Sequence, residues 1–71
     1  QAMNYRMKTF TYKQAIAELT KIFGSYEVTD KVDTTDRLEV YFTTSDGHNL
    51  CLLADDSEYF QRVSNYEIFE A

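Results

Sequence analysis

The chain reads as a single small α+β domain, an antiparallel sheet of four to five strands packed on one main helix. The expected order is β-α-β-β-β-(short α)-β. Three observations predict it. One segment carries apolar residues at helical spacing, with a start signal and a stop signal. Several others alternate apolar and polar residues with the period of a half-buried strand. The strand-like runs after the helix follow one another across short polar turns, which favours antiparallel pairing.

From the start, Gln1-Ala2-Met3 reads as the remainder of a cleavable tag followed by the natural initiator, leaving 4–71 as the domain. Tyr5 and Met7 alternate with Arg6 and Lys8, the pattern of a first strand. The helix is expected over Tyr12–Phe23. Thr11 is a good N-cap, and Gln14 three residues on completes a capping box, with Phe10 placed to pack back on Ala15. Ala15, Ile16, Leu19, Ile22 and Phe23 form the apolar stripe, and Gly24 provides the left-handed residue that ends the helix.

Tyr26, Val28 and Val32 alternate with Glu27, Thr29 and Lys31, so a second strand follows, with Asp30 interrupting its buried face. Asp33-Thr34-Thr35-Asp36 is a polar turn. Leu38, Val40 and Phe42 then alternate with Arg37, Glu39, Tyr41 and Thr43 in the best-formed strand pattern of the chain. Ser45-Asp46-Gly47 signals a hairpin whose loop length sets the register. A two-residue loop pairs Phe42 with Cys51. A three-residue loop ending in Gly47 pairs Phe42 with Leu50 and Val40 with Leu52, which makes the better core and is preferred. Asp55 caps a short helix bearing Tyr59, Phe60 and Val63, and Tyr66, Ile68 and Phe69 make a final strand.

Composition removes several classes of function. At 71 residues the core is thin, which argues against a large enclosed cofactor pocket, and no cofactor is expected. Twelve acids against seven cations oppose direct nucleic-acid binding, which needs clustered Lys and Arg. No apolar run is long enough to span a bilayer, and one cysteine builds neither an internal disulfide nor a multi-cysteine zinc site. A cytoplasmic protein is expected. The charge is uneven along the chain. Residues 1–24 hold four cations and one acid, while residues 25–71 hold three cations and eleven acids. Turn and cap chemistry accounts for most of these acids, although Asp33, Asp36, Asp46, Asp55, Asp56 and Glu58 are also candidates for an acidic surface.

Catalytic chemistry finds little support. Asp30, Asp33 and Asp36, and likewise Asp55, Asp56 and Glu58, lack the spacing of a calcium loop, so no metal is expected. His48 and Cys51 lie three residues apart on one strand and face opposite ways, which denies them the contact a dyad needs. Nucleophile-elbow, phosphate-loop, dinucleotide and zinc-helix motifs are all missing, and the chain is expected not to be an enzyme.

The most specific clue is an apolar outer face. In the preferred register Tyr41, Cys51 and Leu53 point away from the helix, and such a patch marks a partner site unless the C-terminal segment covers it. The leading expectation is therefore a non-catalytic protein-interaction module, a homodimer being one form of it. Asn49–Tyr59 resembles a segment of the phage-type uracil-DNA glycosylase inhibitors. That resemblance implies a different role, an inhibitor from a phage or mobile element that mimics nucleic acid and blocks a DNA-binding enzyme. The Glu-Ser-Ile edge motif of those inhibitors is absent, so no functional residue carries across and no family is assigned.

Overall fold

The computed structural model describes residues 10–55 and 66–71. They form one helix, α1 (Tyr12–Phe23), and four strands: β1 (Tyr26–Asp33), β2 (Arg37–Thr44), β3 (Asn49–Asp55) and β4 (Glu67–Glu70). The strands pair antiparallel in the order β1-β2-β3-β4, a meander with each strand beside its sequence neighbour. The α+β class stands. The expected first strand at Tyr5 and the short helix after Asp55 lie outside the described residues.

The helix begins as its sequence dictates. The Thr11 side chain accepts the Gln14 amide at 3.2 Å, while the Gln14 side chain accepts the Thr11 amide at 2.8 Å. Two backbone donors with no partner inside the helix are thereby satisfied. Gly24 ends the helix at φ 76°, with its N–H bonded to the Thr20 carbonyl. Ala15 and Leu19 are fully buried, and Ile16 and Phe23 are partly so. Ile22 is 50% exposed, so the covered stripe is narrower than its spacing suggests. Ala15 and Leu19 pack on the sheet, and Ile22 lies at the open groove between the end of the helix and the hairpin.

The hairpin takes the three-residue loop. Val40 pairs with Leu52 and Phe42 with Leu50, and Gly47 adopts φ 92°. Thr44 secures the turn. Its hydroxyl donates to Asp46 Oδ1 and accepts the His48 amide at 3.1 Å. Leu38, Val40, Phe42, Leu52 and Ala54 thus share the helix side of the sheet and are all buried there with Phe10, Ala15 and Leu19. Burying a side chain of this size contributes about 1.5–3 kcal/mol. Phe23 and Tyr26 close over Phe42, their ring centroids 5.2 and 6.0 Å from it. The Tyr26 hydroxyl donates to the Ile16 carbonyl at 3.2 Å and lies 2.8 Å from the Thr20 hydroxyl, so the strand after the helix is tied back to it. At the opposite end Phe10 stacks on Tyr66 at 5.2 Å, and the Tyr66 hydroxyl donates to Glu18 at 2.8 Å.

One strand departs from its expected pattern. The β1–β2 register steps from Val28↔Phe42 to Asp30↔Tyr41, leaving Thr29 as an extra residue. This β-bulge reverses the alternation beyond it. Val28 faces the helix, but Val32, paired with Glu39, faces away. Asp30 does not interrupt the core, because it pairs with Tyr41 on the outer face. Lys31 takes the inner position, with its ammonium 4.1 Å from the centroid of the Tyr12 ring. Val32 therefore does not share a face with Tyr26 and Val28.

Candidate interaction surface

The helix occupies one face of the sheet, and the strand register defines the other. Across that outer face run Glu27, Asp30 and Val32 of β1, and Arg37, Glu39, Tyr41 and Thr43 of β2. Asn49, Cys51, Leu53 and Asp55 follow on β3, then Glu67 and Phe69 on β4. The apolar members lie together. Val32 and Leu53 flank Glu39, Tyr41 and Phe69 flank Cys51, and Phe69 is 44% exposed.

Of the three residues expected here, Tyr41 and Leu53 are half-buried and Cys51 is 1% exposed. Cys51 has the expected face but is not open to solvent. Its short side chain sits in register between two much larger neighbours, Tyr41 and Phe69. Burial pushes the thiol pKa above its ordinary value, and the nearby Glu39 carboxylate acts in the same direction. The thiolate needed for nucleophilic or redox chemistry is therefore disfavoured.

A polar ladder along β2 anchors the centre of the face. Arg37 donates to Glu39 Oε2 from Nε at 2.7 Å and approaches it with a second guanidinium nitrogen at 2.6 Å. The Tyr41 hydroxyl donates to Glu39 Oε1 at 2.6 Å. These residues stand two apart, so a strand puts them on one side in a row. The Tyr41 hydroxyl, helped by Arg37, holds the Glu39 carboxyl below its ordinary range. The same hydrogen bond pushes the Tyr41 phenol up to about 12. Glu39 is thus a satisfied carboxylate within an apolar patch.

The acids proposed for an acidic surface do not converge. Asp33 and Asp36 lie at the β1–β2 turn, where the Thr34 hydroxyl donates to Asp36 at 3.2 Å. Asp55, at the same end of the sheet, is opposite Arg37. Asp46 sits at the other end, in the β2–β3 loop, with its pKa lowered first by the Thr44 hydroxyl and then by His48. Asp56 and Glu58 lie outside the described residues. Sequence reasoning missed Glu27, Asp30, Glu67 and Phe69 as members of the outer face. The register brings them there; the strand alternation of Glu27 against Tyr26 and Val28, and of Glu67 and Phe69 against Ile68, was the available signal.

On the helix side an open groove of about 320 Å³ runs between the end of α1 and the hairpin, where Ile22, Phe23, Thr44, His48 and Leu50 line it. His48 is exposed. Its ring nitrogens lie 3.7 Å from Asp46 and 3.6 Å from Glu70, so the imidazole contacts carboxylates and not a nucleophile. Cys51 lies across the sheet from it. Among the described residues no group of three or more His, Cys, Asp or Glu is placed to hold a metal ion. Among them, too, no helix is long and apolar enough to cross a membrane.

Family models, curated proteins and solved structures show no match to this chain.

Proposed function

We propose that this chain is a non-catalytic protein-interaction module whose working surface is the outer face of the sheet. One observation carries the reading. The helix and its core partners occupy a single face, while the opposite face gathers Val32, Tyr41, Leu53 and the 44% exposed Phe69 around Cys51. Apolar side chains gathered in this way on a small domain mark a partner site. The Glu39 ladder supports it, because a fully hydrogen-bonded carboxylate enters an interface at lower cost than an unpaired one. The non-catalytic part of the reading rests on the buried Cys51 thiol and on the His48 ring, which lies beside the Asp46 and Glu70 carboxylates.

Photo-crosslinking groups placed at Leu53 or Phe69, and for comparison at Lys13 or Lys21 on the helix, test it in the native cell. Discrete protein adducts are expected from the outer positions and not from the helix. Equal labelling from both sides counts against the reading.

The inhibitor that mimics nucleic acid is a second reading, favoured by the five acids that the outer face, among the described residues, sets against one arginine. It differs in what the partner does. The captured protein would be a DNA-binding enzyme, and this chain would displace its DNA without itself binding DNA.

A further inference from the structure

Among the described residues the two faces differ in charge. On the helix side Lys13, Lys21 and Lys31 are matched by Glu18, Asp33 and Glu70. The outer face holds Glu27, Asp30, Glu39, Asp55 and Glu67 with one described cation, Arg37. That arginine is paired to Glu39. The arrangement is concentric as well. The central carboxylate, Glu39, is satisfied by its ladder, whereas the exposed Glu27 and Asp30 on β1 and Glu67 on β4 stand at the two flanks of the apolar patch.

We infer that this face docks a protein segment whose apolar side chains are flanked by Lys or Arg, and not a second copy of this chain. The inference rests on the interaction reading above and adds the chemistry of the partner. A symmetric pair built on this face would bring the carboxylate flanks of one copy against those of the other, since an isologous contact repeats the same patch on both sides. Like charges set against each other across an interface are costly, and flanking charges of opposite sign steer and select the partner. A cationic border satisfies Glu27, Asp30 and Glu67 while its apolar centre covers Phe69, Leu53 and Val32. The β1 edge offers no competing route to self-pairing. The Thr29 bulge and the charges of Asp30 and Lys31 guard it, which are the devices that keep an edge strand from adding another chain.

Two synthetic peptides with one shared Leu/Tyr centre, one flanked by lysines and the other by glutamates, test this by backbone-amide NMR of the full chain. The lysine peptide should shift Val32, Tyr41, Leu53 and Phe69 and bind roughly fivefold or more tightly than the glutamate peptide, as expected for two or three exposed ion pairs. The preference should shrink as salt rises from about 0.05 to 0.5 M. The double change Glu27→Lys and Glu67→Lys, at two exposed positions, should reverse it. Equal affinity of both peptides at the outer face overturns the charge selection and leaves the face as an interaction surface. Shifts confined to the helix side, or none from either peptide, overturn both. Self-association in sedimentation at high micromolar concentration overturns the choice of partner.

Discussion

The rotation of α1 on the sheet determines which side of the molecule is core, and two truncations measure it. Leu19 is fully buried among Leu38, Val40 and Phe42, whereas Ile22, three residues on, is 50% exposed. Truncating a buried leucine to alanine costs about 2–5 kcal/mol, the removed methyl groups plus the cavity left behind. A chain of 71 residues has a total stability of roughly 4–10 kcal/mol at the usual 0.05–0.15 kcal/mol per residue. Leu19→Ala therefore removes about a fifth of it at the least and half or more at the middle of both ranges. In a domain of this size each kcal/mol lowers Tm by about 4–8 °C. The fall should be about 8–40 °C. Ile22→Ala gives up contacts on one flank only and gains helix propensity, so it should change stability by less than about 1 kcal/mol. Thermal melts and urea titrations of both variants, followed by circular dichroism, read the difference. If Ile22→Ala costs as much as Leu19→Ala, the helix is turned toward its 22 flank. The division into a covered and an open face would then fail.

Three further outcomes follow from the geometry. A tyrosinate titration should show one phenol ionising only near pH 12, and Glu39→Gln should abolish it, because the carboxylate is the first cause of the raised Tyr41 value. Tyr41 is raised from 10.0, so its share of stability is present below that pH and is lost as pH climbs toward 12. Glu39 is lowered from 4.5, so its share is present above that value and lost as pH falls below it; Glu39→Gln should flatten both limbs of the stability profile. Gly47→Ala should cost about 1 kcal/mol in a urea titration, since φ 92° strains any side chain while the space around the position is open.

How much of this was legible in the sequence divides by range. Thr11, Gln14 and Gly24 act on atoms three or four residues away, so the helix limits followed directly from them. Gly47 with the leucine pattern of Leu50 and Leu52 likewise set the hairpin register, because a one-residue slip moves every side chain to the other face. Ile22 misled because helical spacing reports which residues share a stripe and not how wide a sheet lies beneath it. Cys51 misled because burial on an open face depends on the size of cross-strand neighbours, and Phe69 comes from a strand eighteen residues away. The acidic flank was hidden for the same reason. Glu27, Asp30 and Glu67 meet on one face only after three registers are known.

The Thr29 bulge is what makes the two faces chemically distinct. Strict alternation from Val28 would set Asp30 opposite Val40, at the exposed inner-edge position beside Tyr12 that Lys31 holds, and would turn Lys31 outward and Val32 inward. The extra residue shifts the phase by one, so Asp30 and Val32 go outward and Lys31 goes inward to Tyr12. Two deletions separate this account from the view that β1 is an indifferent edge. Removing Thr29 takes out the unpaired residue and leaves Val28↔Phe42 next to Asp30↔Tyr41, so every later side chain keeps its face. The loss is the hydrogen bond from the Thr29 hydroxyl to the Tyr41 carbonyl, 3.2 Å long, worth about 1 kcal/mol. Removing Lys31 leaves two registers open: keeping the bulge sets Val32 opposite Val40, and absorbing it sets Asp30 there. The first variant should fold with its β2–β4 amide spectrum intact and a Tm within about 8 °C of the parent. The second should also fold, but with the β1–β2 pairing shifted by one beyond Val28 or Asp30 and with the contact of Lys31 on the Tyr12 ring lost, about 0.5–1 kcal/mol at an exposed site. If the β1–β2 pairing shifts on removal of Thr29 and not on removal of Lys31, the bulge does not sort the charges, and the asymmetry of the faces needs another cause.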